Sequence, residues 1–326
     1  MTRLILTRFA QMLAVLWVVS SLLFFMFRLM PGDPTLAYID STFTAEQISD
    51  LRKTFGLDRP LYDQYFIYLT NLARGEFGES FHHRRPVLEV LGGVLANTLI
   101  LTLSGLIVAY AFGTLIGAWL AWKRNTWIEA ITIPSVLALR AAPEFWLGMV
   151  LLALFGFKLG WFPSGGANSP CAIFPSEWSR IASGDFLWHL VLPSATLALY
   201  LQGLPLLLMR SNMLEVMSED FITMARMKGL SSWSIIVRHA ARNALLPVAT
   251  AFALGFGASV GGNVVVETVF SWPGLGKLLV NSVAASDYPV AQGAFFLITV
   301  VLVSMNFLAD LLYSLLDPRV SHGRHN

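Results

Sequence analysis

Six stretches of this chain are apolar over about twenty residues or more, and they limit the fold more than any motif does. They cover roughly 9–29, 94–121, 130–157, 187–209, 244–266 and 290–316. A helix needs about 20 mostly apolar residues to cross the hydrocarbon, where no water can satisfy a bare backbone. The charge content agrees, at 13% of residues against roughly 25% in soluble domains. The expected fold is therefore an all-α polytopic membrane protein with six transmembrane helices. A net charge of +2 is too small to draw in nucleic acid, and the lone Cys171 excludes an internal disulfide and a cysteine-based metal site. The first apolar run, Phe9 to Phe27, exceeds a secretory h-region of about 7–15 residues, and no small-x-small site follows it. It is expected to be a retained span, 1–29.

Orientation follows from the short loops, since Lys and Arg favour the cytoplasmic side. Lys123 and Arg124 lie between spans two and three. Arg210, Arg226, Lys228, Arg238 and Arg242 lie between spans four and five, and Arg3, Arg8, Arg319 and Arg324 lie in the tails. The opposite short loops carry only Lys158, Arg180 and Lys277. Both termini are thus expected in the cytoplasm, with 30–93 as an outer segment, 94–316 as a five-helix core and 317–326 as a tail. The outer segment should hold two short helices. "TAEQISDLRKTFG" offers a capping box at Thr44 and Gln47, an apolar stripe of Ile48, Leu51 and Phe55, and a stop at Gly56. "RPLYDQYFIYLTNLARG" offers Pro60 at the first helical position and Gly75 at the stop.

Spans two and five carry small residues four apart: Gly105, Ala109, Gly113, Gly117 and Ala121 in one, Ala249, Ala253, Gly257 and Gly261 in the other. Such strips let helix backbones touch in lipid. Two readings stand for each, a sliding or path-lining face and a static contact. Gly255, Ser259 and Gly262 make span five small nearly all round, which tilts it toward lining a route. The intramembrane pair Arg140 and Glu144 lies one turn apart around Pro143, either as an ion pair steadying a kink or as groups reaching the inner interface. Asp310, with Asn306 one turn earlier, has similar standing. Glu267 and Asp287 flank the outer mouth, as gate or docking residues or simply as solvated ones.

Between spans four and five the chain breaks its apolar habit with "SEDFITMARMKGL", 218–230. Ser218 suits an N-cap, Glu219 and Asp220 the positive end of a helix dipole, Arg226 and Lys228 the negative end, and Gly229 the C′ position. Phe221, Ala225 and Gly229 share one side at i, i+4 spacing. A second helix should start near Ser231 or Ser232 and lead into span five. A solvated loop is the plain alternative. The tie to span five favours a mechanical part, in which force on this knob moves the span.

The stretch 218–248 resembles the cytoplasmic coupling loop of ABC-importer permeases, in the branch serving dipeptide, oligopeptide and nickel uptake. The resemblance covers nearly the whole chain. It includes "RLMPGDP" (28–34), "FGLDRPLYDQY" (55–65), "GEFGESF" (75–81), "PEFWLG" (143–148), "LGWFPSGG" (159–166), "HLVLPSATLAL" (189–199), "VVETVFSWPGLGKLL" (265–279) and "LLDPRV" (315–320). No one motif decides it, but eight in order are specific. The wider superfamily has Glu-Ala-Ala before the loop glycine and a proline ahead of its Asn-Ala. Here Met224-Ala225-Arg226 precedes Gly229 and Arg242 precedes Asn243, which narrows the branch.

The resemblance implies the type I ABC importer fold and a permease in the bacterial inner membrane. It implies that 219–229 docks on a cytoplasmic ATPase, with two ATPase subunits binding ATP and Mg, and this chain binding no cofactor. It further implies a periplasmic solute-binding protein and a second, non-identical permease as partners. Arg140 and Glu144 then acquire a third reading, contact with peptide termini or with that permease. Peptides, a nickel chelate, glutathione or an opine-like molecule all fit as cargo.

Other classes fare worse. No GxxxxGK[ST] occurs, and "GLGKLL" (274–279) lacks the spacing and hydroxyl of a phosphate loop. "GASVG" (257–261) matches G-x-S-x-G in form, but no histidine lies deep in a span to serve as base, His189 only edging the outer end of span four. HExxH is absent, and adjacent His82 and His83 more simply face water than hold a metal. An ion-coupled secondary transporter would favour inverted repeats and a broken helix pair at mid-membrane, and neither is evident. A passive membrane anchor is the last option, and loss of uptake on deletion would exclude it.

Overall fold

Each predicted span is mainly helical in the computed structural model, which describes residues 2–29, 59–260 and 263–316. In order, the helices are α1 (Thr2–Leu29), α2 (Leu61–Arg74), α3 (Val87–Trp122), α4 (Trp127–Ala141), α5 (Glu144–Lys158), α6 (Glu177–Ile181), α7 (Gly184–Leu201), α8 (Gly203–Val216) and α9 (Asp220–Met227). Next comes α10, which begins at Ser232–Ser234, passes through π-type turns at Ile235–Ala240 and continues as Ala241–Val260. Then follow α11 (Val264–Val269), α12 (Leu275–Ala284) and α13 (Tyr288–Leu316). Ile5–Leu29, Val87–Trp122 and Tyr288–Leu308 are each long and apolar enough to cross a bilayer.

The helix that carries span two starts at Val87, ahead of the apolar stretch 94–121; its 36 residues reach about 54 Å, so end turns project beyond a core of about 30 Å. Span three is two helices, α4 and α5, meeting at 103°. Pro143 cannot donate to the carbonyl of residue 139, and it holds Ala142 extended at φ −68°, ψ 142°. Span four bends by 46° between α7 and α8, where Pro205 has no N–H to offer Leu201.

The chain divides into two compact units, Met1–Thr98 with Pro273–Phe307, and Leu99–Trp272 with Leu308–Asn326. In the first, Val87 and Leu91 of α3 pack on Leu275, Leu279, Val290, Ala291 and Ala294. Asn97 Nδ2 donates to Pro273 O at 2.8 Å, and Leu275 N donates to Thr98 Oγ1 at 2.7 Å, so two polar side chains of an apolar helix satisfy the turn before α12. The predicted helix 61–74 is present as α2. Pro60 sits just ahead at the N-cap, and Gly75 closes the end at φ +78°. Its aromatic face meets α1, with Phe24 against Tyr65 and Tyr68 at ring separations of 5.4 and 5.5 Å. The other outer helix expected, 44–56, lies outside the described residues.

In the second unit, the glycine strip of α3 is a close backbone contact. A Cβ on Gly113 would lie 2.7 Å from Gln202 O and 2.8 Å from Pro205 Cγ, and one on Gly117 would strike the Leu206 carbonyl. One on Gly105 would lie 2.7 Å from Leu197 Cβ. Ala109 and Ala121, on the same strip, are fully buried. Lower down, α8 packs most extensively against α10. At the other end, Phe186, Phe270 and Trp272 form a buried cluster under the 163–166 turn, where Gly166 N donates to Phe270 O at 2.9 Å.

Candidate functional site

The polar interruption at 218–230 is a two-turn helix, α9, with defined ends. Its C-terminus is a Schellman closure. Gly229 is left-handed at φ +74°, Gly229 N donates to Arg226 O at 3.0 Å, and Leu230 N donates to Ala225 O at 3.3 Å. The N-terminus differs from expectation. The Ser218 hydroxyl donates backward to Glu215 O at 2.6 Å, closing α8, and Glu219 occupies the N-cap without a side-chain cap bond. Ser218 thus serves the last turn of α8, and the N-cap of α9 falls one residue later than its sequence suggests. Asp220 stands in the first turn and Arg226 in the last. Ser231 then caps α10 through Ser234 N at 3.3 Å.

One face of α9 is clamped to its own chain. Ile222 and Ala225 are buried with Met213 of α8 and with Ile235, Ile236 and Ala240 of α10. Ala225 therefore faces inward, which corrects its place on an outward knob with Phe221 and Gly229. The opposite face is open: Glu219, Asp220, Phe221, Met224, Arg226, Met227, Lys228, Gly229 and Leu230 are all exposed. Met227 reaches 81% exposure, which leaves a flexible apolar side chain among charges. Residues of α8 and α10 thus both hold the inner face of α9.

A second polar feature supports α8 and was not evident from spacing. Arg210 Nε donates to Glu129 Oε1 at 2.5 Å, and Arg210 Nη2 pairs with the same oxygen. Glu129 Oε2 accepts from Asn125 N at 2.6 Å, and Asn125 is left-handed at φ +60°. One carboxylate thus joins the α3–α4 turn to α8. The signal was an opposite charge at the same end of two apolar runs. Arg210→Met should leave the carboxylate under-satisfied and cost on the order of 1–3 kcal/mol. Glu129→Gln with Arg210→Met should cost less than the sum of the singles. A double-mutant cycle by thermal unfolding checks this, and additive losses would refute the brace.

The membrane-depth candidates are dispersed. Arg140 ends α4 and Glu144 begins α5, so the 103° break removes their one-turn spacing, and no ion pair joins them. A Cβ on Gly203 would lie 3.5 Å from Arg140 Cδ, which places the arginine stem across the α7–α8 bend. On α10, Ala249 is exposed and Ala253 half-buried, while Gly255 faces inward, where a Cβ would lie 3.1 Å from Tyr110 Oη. The surroundings of Gly257, and Gly261 itself, fall outside the described residues. Ser259 Oγ donates to Gly255 O of its own helix at 2.8 Å, a bond to backbone and not to a base.

Glu267 and Asp287 are both buried, so neither offers a carboxylate to an outside partner, which corrects the docking and solvated readings. Asp287 is wrapped by the loop after Gly78. Ser80 Oγ donates to Oδ2 at 2.5 Å, Phe81 N to Oδ1 at 3.1 Å and His82 N to Oδ2 at 3.1 Å.

Comparison with known proteins agrees with this geometry. Residues 113–322 match the family described as binding-protein-dependent transport system inner membrane component, and residues 1–102 match its N-terminal companion. The chain is similar to glutathione transport system permease proteins of Escherichia coli and Shigella dysenteriae, each 35% identical over 318 residues. The protein of the same description from Salmonella typhi is 36% identical. In each case 98% of both chains is covered. Two family matches, full-length relatives and a set of apolar helices agree: the chain belongs to the inner membrane components of binding-protein-dependent transport systems, and is a multi-pass permease subunit of an ABC importer of the dipeptide, oligopeptide and nickel type.

Proposed function

We propose that α9 is the coupling helix of this permease, pressed by a cytoplasmic ATPase on its exposed face and passing that motion to α8 and α10 through its buried one. The observation that carries this is the two-faced clamp. Ile222 and Ala225 are locked into the chain, and Phe221, Met224, Met227 and Lys228 are left open beside the left-handed Gly229. A permease of a binding-protein-dependent system works with a solute-binding protein and ATPase subunits. ATP and Mg reside on two ATPase subunits, and this chain is not an enzyme. A second, non-identical permease completes the path, and Arg140, Glu144, Ala253, Gly257 and Gly261 serve that path or a helix interface. Both termini and α9 face the cytoplasm, in line with the Lys and Arg bias of the short loops. Small peptides are the cargo, and the relatives' names favour glutathione among them.

Two changes test the coupling. With Cys171→Ser as background, Met227→Cys should cross-link to an ATPase subunit in the full importer, and no capture along α9 would sink the proposal. Gly229→Trp should insert normally but uncouple ATP hydrolysis from uptake. A side chain there costs about 1–2 kcal/mol in a left-handed conformation and projects into the open space of the docking face. Gly229→Asn, which tolerates that conformation, should retain most uptake. Normal coupling in Gly229→Trp would refute the role.

A further inference from the structure

An open groove of about 620 Å³ lies beside the start of α4. One end is polar, with Asn125, Thr126 and Arg210 on its rim. The rest of its wall is Trp127, Ala130, Ile133 and Pro134. These four share one face of α4 at helical spacing, so the apolar wall extends about 10 Å from the rim. A polar end continued by an apolar wall has the form of a lipid headgroup followed by the first carbons of an acyl chain.

The charge at the rim selects the headgroup. Lys123 and Arg124 belong to the same turn and are exposed, and among the described residues neither forms an ion pair. Thr126 Oγ1 donates to Lys123 O at 2.6 Å, which draws this turn against the rim. The acid lining the groove, Glu129, is buried and has both oxygens engaged, Oε1 by Arg210 and Oε2 by Asn125 N. Arg210 and Glu129 cancel each other, so the charge left at this end is positive and complements an anionic headgroup.

Tryptophan adds a third observation. Trp127, on the groove wall, is 73% exposed. The Lys123 ammonium lies over the Trp122 ring at 5.4 Å, and that ring is 6.5 Å from the ring of Trp233 on α10. Trp122 and Trp233 are exposed as well. Exposed indoles beside cations, at the ends of apolar helices, suit the headgroup level of a bilayer.

We infer that this groove binds an anionic phospholipid of the phosphatidylglycerol kind. Its headgroup lies at Lys123, Arg124 and the Asn125–Thr126 rim, and one acyl chain lies along Trp127, Ala130, Ile133 and Pro134. Nothing in this depends on α9 meeting an ATPase, so the two readings stand or fall separately.

The test places the full importer in nanodiscs of phosphatidylglycerol and phosphatidylcholine in equal parts, and native mass spectrometry reads the lipid that stays bound. Wild type should retain phosphatidylglycerol in preference. Lys123→Gln with Arg124→Gln should weaken that retention roughly tenfold. Lys123→Arg with Arg124→Lys keeps the charge and should keep the lipid. Trp127→Ala removes part of the wall and should weaken retention too. Arg84→Asn with Arg85→Gln removes two exposed cations from another loop and should change nothing. All these side chains are exposed, and thermal unfolding checks that each variant folds. The inference is overturned if wild type shows no preference, or if loss of the Arg84 and Arg85 charges matters as much as loss of Lys123 and Arg124. It is also overturned if Thr126→Cys, on a Cys171→Ser background, cross-links to another importer subunit, which would put protein in the groove.

Discussion

Ile222→Asp is expected to abolish uptake while the spans still insert. Ile222 has no exposed surface and sits where α9 meets α8 and α10. A carboxylate placed there would enter a cluster of buried apolar side chains from α8 and α10. Burying an unpaired charge costs roughly 3–5 kcal/mol, a hundredfold or more in the population of the docked arrangement. The outcome is α9 swung free, so an ATPase still hydrolyses ATP but pushes on nothing. Phe221→Asp, one residue earlier and exposed, should leave the clamp intact and act only on the proposed ATPase contact. Uptake and ATP hydrolysis in proteoliposomes of the full importer, with protease accessibility of the 217–231 loop, separate the two. Wild-type uptake by Ile222→Asp would show that the clamp has no mechanical role.

Gly117→Leu is expected to be the most damaging single change within the spans. Its side chain would begin inside the Leu206 backbone carbonyl, and backbone of a packed helix cannot step aside as a side chain can. Helices α3 and α8 would have to separate, undoing the close approach of Gly113 and Gly117 together, at about 3 kcal/mol or more. Gly92→Leu, on the same helix with nothing within 4 Å of its added Cβ, is the matched control and should be near neutral. Thermal unfolding of the purified chain measures the difference. Equal stability of the two variants would contradict the packing described.

What could be read from the residues alone divides by the range of the physics involved. Hydropathy is local, so the apolar runs located the helices. Left-handed stops are also local, so Gly75 and Gly229 could be placed in advance. Ser218 could not, because a serine between two helices suits the end of one as well as the start of the other. The i, i+4 spacing put Phe221 and Ala225 on one side but could not say which side faces inward, and the neighbouring Ile222 was the missing anchor. Asp287 looked like a surface acid because the loop that wraps it lies 205–207 residues earlier. Glu129 and Arg210 are 81 residues apart and were likewise invisible as a pair. Conversely, motifs quoted separately prove to be one contact. A Cβ on Gly148 would lie 3.3 Å from both Phe270 Cε2 and Val269 Cγ1 and 3.5 Å from Thr196 Cγ2, and Gly165 faces Phe270 O.

The 103° elbow at Ala142–Pro143 has a bearing on what surrounds it. It interrupts the regular ladder of a segment that belongs at bilayer depth, and Arg140, Ala141 and Pro143 are all exposed there. Acyl tails offer no hydrogen bonds to carbonyls stranded by such a corner. That flank of the subunit must therefore be wetted or roofed by another polypeptide, and hydrocarbon is the one medium it cannot tolerate.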